Sequence, residues 1–234
     1  MPAPPTPLFE DRRHAGRALA AALAHLAGER PVVLALPRGG VPVAFEIARA
    51  LRAPLDLVLV RKIGAPGNPE LALGAVIDGA NPQWVANPAL MQRLAPPERW
   101  FAEERQRQLA ELERRRQRYC GERPPPRIEG RCVILVDDGI ATGASIRAAL
   151  KGLAKAGARR CVVATPLAPA DVAAALRDEV DELVCLATPT PFGGVGLHYG
   201  HFEQTTDEEV VELLARGQAF DAAPGAQATG AGGG

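Results

Sequence analysis

Two adjacent carboxylates, Asp137 and Asp138, follow the apolar run Cys132–Val136 and precede a stretch of small and hydroxylated residues ending at Ser145. A helix is expected to open near Ala144 or Ser145, and the first N–H groups of a helix lack partners within it. Such a start suits a phosphate group. Gly139, Ala141, Gly143 and Ala144 let the backbone come close to a ligand, and Thr142 and Ser145 add hydroxyl donors. The two carboxylates would repel a phosphate in direct contact, so they are expected to face something else. Vicinal sugar hydroxyls, or a magnesium ion held directly or through water, suit paired acids. An anion on one side and a diol on the other describe a ribose 5-phosphate.

Competing readings of this loop fail on particular residues. A Walker-type phosphate loop needs Lys after its last Gly, whereas Ala144 follows Gly143. A dinucleotide-binding fingerprint has a different glycine spacing and does not begin with two acids. A purely structural turn would use the glycines but would not explain Asp-Asp at a strand end.

The elements that must carry this loop are short apolar runs alternating with helical patterns. The runs are Val32–Leu36, Leu55–Val60, Leu73–Ile77, Cys132–Val136, Cys161–Thr165 and Leu183–Ala187. Helix-like segments lie near 12–27, 41–52, 88–119, 144–157 and 170–179. This alternation predicts an α/β fold with a mostly parallel sheet covered by helices, and ligands at the carboxyl ends of its strands. The 234 residues, 47% of them apolar, are enough for one well-buried core and exclude disorder of the main body. With 27 basic and 27 acidic side chains, the surface as a whole is no electrostatic glove for nucleic acid. No run is long and apolar enough to span a bilayer, and the first residues lack a secretory stretch, so a soluble, cytoplasmic chain is expected. The four Cys contain no Cys-x-x-Cys pair, and three of them sit in apolar runs as small hydrophobes.

The segment 132–150, CVILVDDGIATGASIRAAL, resembles the binding motif of type I phosphoribosyltransferases: an apolar strand, two acids, then Thr-Gly-x-Ser/Thr opening a helix. Ala144 stands where a second Gly is frequent. Residues 33–43, VLALPRGGVPV, are similar to the family's pyrophosphate loop, with Arg38, Gly39 and Gly40 at the turn. Arg61-Lys62-Ile63-Gly64, followed by APGNPELALGAV, is similar to the flexible loop that closes over the substrate. The resemblance covers residues 10 to 215 and is especially close to bacterial members with no assigned base. It implies the family's fold, with a hood at about 188–204, a helical insertion at about 88–119 and a domain over 1–219. Residues 220–234 are expected to form a disordered tail.

The resemblance also implies Mg-dependent transfer of a phosphoribosyl group from phosphoribosyl pyrophosphate to a nitrogen acceptor, a nucleobase by expectation, with release of pyrophosphate. Asp137 and Asp138 would hold the ribose hydroxyls and magnesium, and Gly139, Ile140, Ala141, Thr142, Gly143, Ala144 and Ser145 would cradle the 5-phosphate. Arg38, Gly39, Gly40, Arg61 and Lys62 would take the pyrophosphate, where cations favour a leaving group that departs with its charge. Residues 64–71 read as a mobile, water-excluding lid, with Glu70 as its one carboxylate, able to assist proton transfer at the acceptor. In the hood, Phe192, Val195 and Tyr199 are expected near a planar base. Ala141 and Gly200-His201 stand where 6-oxopurine enzymes carry Asp, which argues against hypoxanthine or guanine.

Two features stay outside that scheme. His198 and His201 lack a third ligand of metal-site spacing. The charged helix Pro96–Tyr119 carries Arg114, Arg115, Arg116 and Arg118, a solvated face or a partner surface. On the second reading the chain would be a non-catalytic sensor of phosphoribosyl pyrophosphate or nucleotide that binds nucleic acid or protein. A homodimer is compatible with either reading.

Overall fold

The computed structural model describes residues 7–79 and 81–220, apart from the side chain of Glu70. The chain opens with helix α1 (Arg12–Ala22), capped by Asp11, whose carboxylate accepts from the N–H of His14 at 2.6 Å. Strand β1 (Val32–Ala35), helix α2 (Gly40–Leu51) and strand β2 (Leu55–Leu57) follow. After an intervening segment come β6 (Cys132–Val136), α5 (Ala144–Lys155), β7 (Arg160–Leu167), α6 (Ala170–Arg177), β8 (Glu182–Ala187) and α7 (Asp207–Gly217). The five strands pair in parallel in the order β2-β1-β6-β7-β8.

Both faces of this sheet are covered. Along β6, Cys132, Ile134 and Val136 join one apolar cluster and Val133 and Leu135 the other, the period of two that a pleated strand imposes. All five side chains are buried, which is why the run is continuous rather than alternating. The strand order reverses between β1 and β6: the chain runs outward from β1 to β2 on one side and from β6 to β8 on the other. Loops leaving the carboxyl ends of β1 and β6 therefore diverge and leave a crevice between them. The α/β class, the parallel sheet and its flanking helices are as the sequence predicts.

The intervening segment departs from prediction. Strands β3 (Val60–Ala65), β4 (Asn68–Ile77) and β5 (Gln83–Ala86) form a separate antiparallel sheet. The run 55–60 is thus split between two sheets, and 73–77 is antiparallel. Residues 64–71, expected as a mobile lid, lie at the tip of a hairpin, with Ala65 opposite Asn68. Pro66 restricts one turn position, and Gly67 takes φ 73° at the next, a geometry that favours glycine. Pro and Gly here mark a tight turn between strands.

The expected helix over 88–119 is two helices, α3 (Pro88–Leu94) and α4 (Glu98–Cys120). Ala95 turns the chain at φ 38°, and Pro96-Pro97 prevents continuation. Helix α4 buries Phe101, Leu112, Arg116 and Tyr119. Arg116 is therefore no part of an outward basic face: it bonds Asp56 at 2.8 Å and Asp78 at 3.0 Å beneath the helix. At the other end of the chain, Thr206 caps α7, accepting from the N–H of Glu209 at 3.1 Å. Residues 221–234, on which most of the expected tail falls, lie outside the described residues.

Candidate functional site

Strand β6 delivers Asp137 and Asp138 to the crevice. Asp137 accepts the N–H of Asp138 on its own carboxylate at 3.0 Å, which fixes the first acid against the turn. Burial, with the neighbouring charge of Asp138, pushes the Asp137 carboxyl well above the usual carboxylate range. Beyond them Ile140 points into the core, and its N–H donates to the Leu167 carbonyl at 2.9 Å. Ile140 thus anchors the loop and does not present its N–H to a ligand, contrary to its expected place in the cradle.

Gly143, at φ 75°, turns the chain into α5 with no side chain capping the helix. The Ala144 N–H donates to the Thr142 hydroxyl at 3.5 Å, while the N–H groups of Ser145 and Ile146 have no partner within the helix, beside the exposed Ala141, Thr142, Ala144 and Ser145. Arg147 donates to the Thr142 carbonyl at 2.9 Å and braces the loop from behind. A helix start with unpartnered N–H groups is a place where an anion can be accepted.

The β1–α2 turn meets this loop across the crevice. A Cβ on Gly39 would collide with the Asp138 carboxylate, and one on Gly40 would stand 2.8 Å from the Val136 carbonyl. Glycine is required at both positions because the two loops lie against each other. The N–H of Gly40 closes on the Leu36 carbonyl at 3.1 Å, so Gly40 provides closeness rather than an open donor. Arg38 extends towards Asp207 at 3.5 Å.

The hood reaches the same place. Val195 packs its methyl groups over Gly139, and Phe192 lies half-buried with its ring 5.6 Å from that of His198. Tyr199 does not face a ligand. Its ring is buried, stacked 5.0 Å from Phe202, and its hydroxyl donates to the Asp138 carbonyl at 2.6 Å. Burial and the charge of Asp138 push the Tyr199 phenol strongly up. Tyr199→Phe leaves that carbonyl without its partner and is expected to lower stability by about 1–2 kcal/mol. Denaturant unfolding checks this, and an unchanged midpoint would remove Tyr199 from the support of the loop.

Arg12 is a residue the sequence did not reveal. Its Nε bonds Asp138 Oδ2 at 2.7 Å, its Nη1 donates to the Glu203 carbonyl at 2.7 Å, and it lies 3.9 Å from the Phe202 ring centre. Helix α1 and the hood are thereby tied to the second acid. The one local signal was Asp11 as a helix cap, which places Arg12 in the first turn but says nothing of its partner.

Strand pleating separates Arg61 from Lys62. Lys62 lines a cavity of about 410 Å³ together with Ala144, Ser145, Arg147 and Lys151, between the hairpin and the start of α5. Arg61 turns to α4, donating to Gln108 at 2.7 Å and Glu111 at 3.2 Å. Arg61 and Lys62 together line a second cavity of about 580 Å³ between the hairpin and α4, so Lys62 borders both spaces. The side chain of Glu70 lies outside the described residues, so its expected role is not placed.

Among the described residues no three His, Cys, Asp or Glu side chains converge as a metal cage. Asp137 and Asp138 alone fit Mg²⁺ in the way that cation is commonly bound, by one or two carboxylates together with substrate oxygens. No described helix is long and apolar enough to cross a membrane.

A parallel α/β sheet, a small-residue loop after two acids and a second glycine turn across the crevice are the architecture of the type I phosphoribosyltransferase class. The chain belongs to the phosphoribosyl transferase domain family, whose family model matches residues 10–199. It is 46% identical over 209 residues to the Mycobacterium tuberculosis H37Rv protein named "Putative phosphoribosyl transferase Rv0571c", and to its counterpart in strain CDC 1551. These alignments cover 89% of this chain and 47% of those proteins, so the chain spans about half the length of the curated relatives it matches. The crystal structure of the Thermus thermophilus protein TT1426 superposes with a TM-score of 0.77 at 48% identity, covering 89% of this chain and 98% of that one.

Proposed function

We propose that this chain transfers a phosphoribosyl group from phosphoribosyl pyrophosphate to a nitrogen of a planar acceptor, most simply a nucleobase, and releases pyrophosphate. The observation that carries this reading is the contact of Gly39 with the Asp138 carboxylate, which sets the two glycine turns against each other at the strand-order reversal. A donor lying across that crevice would place its 5-phosphate on the N–H groups of Ser145 and Ile146, with the hydroxyls of Thr142 and Ser145. Its ribose diol would face Asp137 and Asp138, and its pyrophosphate would run towards Gly39 and Arg38. Lys62 approaches from the hairpin on the 5-phosphate side.

In the reaction the C1–O bond to pyrophosphate breaks, with the electron pair leaving on pyrophosphate, as the acceptor nitrogen forms a bond to C1. Arg38 and the turn N–H groups would stabilise the charge that develops on the leaving group. Mg²⁺, held by Asp137 and Asp138 together with donor oxygens, would neutralise part of that charge. Val195 closes the crevice over Gly139, while Phe192 and the exposed Leu197 offer apolar surface for a flat ring. Base stacking on such a ring contributes roughly 1–3 kcal/mol.

The test is to incubate the protein with phosphoribosyl pyrophosphate, Mg²⁺ and a panel of purine and pyrimidine bases, and to follow pyrophosphate. Release that depends on one class of base is the expected result. Tight donor binding without release for any base would favour a sensor, and no donor binding at all would refute the reading.

A further inference from the structure

Among the described residues Arg12 is the one cation paired with Asp138, and the pair is nearly buried, 12% and 15% exposed. Arg12 is the first residue of α1, where a cation opposes the helix dipole, so helix formation gives no reason for Arg there. Its contacts do. The Arg12 Nε holds Asp138 Oδ2 at 2.7 Å, Nη1 donates to the Glu203 carbonyl at 2.7 Å, and the guanidinium carbon lies 3.9 Å from the Phe202 ring centre. Phe202 stacks in turn on Tyr199, whose hydroxyl donates to the Asp138 carbonyl. The hood thus grips the second acid twice, by its carboxylate through Arg12 and by its backbone through Tyr199. Gly39 closes on the same carboxylate from the other turn, nearest Oδ2. Oδ2 is therefore enclosed by protein, and Oδ1 is the oxygen left for a ligand.

We propose that Arg12 is a positioning residue of this site: a resident cation that holds Asp138 Oδ2, leaves Oδ1 to the ligand, and keeps the acid pair from capturing a divalent cation without the donor. The inference rests on the proposed reading of Asp137 and Asp138 as partners of the ribose diol and Mg²⁺. Two adjacent carboxylates attract a divalent cation strongly, and a guanidinium in contact with one of them cancels part of that attraction. With so little solvent at the pair, screening does not hide the effect. A donor rich in anionic oxygens supplies the missing charge, in the manner of Mg²⁺ sites completed by substrate phosphates. Arg12 thereby makes donor and cation depend on each other. The fork matters beyond the charge, because one planar group spans Asp138 and the Glu203 carbonyl at once while lying on the Phe202 ring. An ammonium is a point charge and cannot do all three.

Two titrations of the wild type, Arg12→Gln and Arg12→Lys test this. In the first, Mn²⁺ is added to the protein alone and free Mn²⁺ is followed by its paramagnetic resonance signal. In the second, phosphoribosyl pyrophosphate is added at saturating Mg²⁺ in a calorimeter. Arg12→Gln is expected to bind Mn²⁺ at least about tenfold more tightly than the wild type, and phosphoribosyl pyrophosphate at least about tenfold more weakly. Arg12→Lys should keep Mn²⁺ binding near the wild-type level, since the charge persists, and still bind the donor more weakly, since the fork is lost. Adding Asp138→Asn to Arg12→Gln should abolish the gain in Mn²⁺ affinity, which locates it at this acid. The opposite signs separate positioning from a merely structural role, because a loosened fold would weaken both ligands together. Mn²⁺ affinity unchanged or reduced in Arg12→Gln overturns the proposal, as does undiminished donor affinity in that variant. Should thermal melting show Arg12→Gln unfolded, Arg12→Lys decides alone: wild-type donor affinity in it overturns the proposal. A wild type that binds no phosphoribosyl pyrophosphate refutes the proposed function, and the Mn²⁺ comparison still decides whether Arg12 withholds Asp138 from a cation.

Discussion

Replacing Asp137 and Asp138 together by Asn is expected to weaken Mg-dependent binding of phosphoribosyl pyrophosphate by roughly 100-fold or more and to remove pyrophosphate release. Each carboxylate would accept charge-assisted hydrogen bonds worth about 1.5–3 kcal/mol, and every 1.4 kcal/mol is about tenfold in affinity. Asn keeps the shape and one carbonyl acceptor, so the loss reports charge rather than a hole. The cost of that charge is visible in the protein alone. Burial and the proximity of Asp138 raise the Asp137 carboxyl, so holding it charged costs the folded chain stability. A carboxyl with a raised folded pKa contributes stability that is present below its ordinary range and is lost as pH rises through the folded value. At neutral pH, Asp137→Asn should therefore melt no lower than the wild type, even as donor affinity falls. A destabilised Asp137→Asn with undiminished donor affinity by calorimetry would mean that these acids serve the fold and not the ligand.

How far the site could be read without coordinates depends on how local its parts are. The loop 137–145 is legible because its strand, acids, glycines and helix start are contiguous, and each residue type answers a neighbour's requirement. The convergence with Arg38–Gly40 follows from the parallel fold, since both turns leave carboxyl ends of strands. Arg12 is illegible for the opposite reason: its partner Asp138 lies 126 residues away, and nothing in its neighbours marks it. Tyr199 shows a different limit. An aromatic residue near a site can face the ligand or support the loop, and composition does not distinguish them; the bond from its hydroxyl to the Asp138 carbonyl does. The partners of Arg61 show a third limit: Gln108 and Glu111 lie on a helix, 47 and 50 residues on, and nothing local marks them.

The same logic makes Arg116 a stability determinant outside the apolar core. It reads as one of four arginines on a solvated helix, yet it is buried between Asp56 at 2.8 Å and Asp78 at 3.0 Å. Asp56 also holds Arg123 at 3.0 Å, whereas among the described residues Arg116 is the one cation paired with Asp78. Burial drives the Asp78 carboxyl up to about 6, against the pull of the Leu59 N–H and Arg116. Asp56, in turn, raises the Arg116 guanidinium and keeps it charged against the cost of burial. Arg116→Met keeps the length and apolar stem of the side chain but leaves two buried carboxylates short of a cation. Breaking such a pair costs about 3–5 kcal/mol, which for a chain of this size lowers Tm by roughly 6–20 °C. The pH dependence has a definite sign. Without Arg116 the Asp78 pKa rises further, so protonation can relieve the strain at low pH and cannot at high pH. The deficit relative to wild type should consequently be larger at pH 8 than at pH 5, and Asp78→Asn in the same background should recover part of it. A Tm within 2 °C of wild type, or a deficit that grows on acidification, would show that the charges beneath α4 are solvated and the helix is held by its apolar contacts alone.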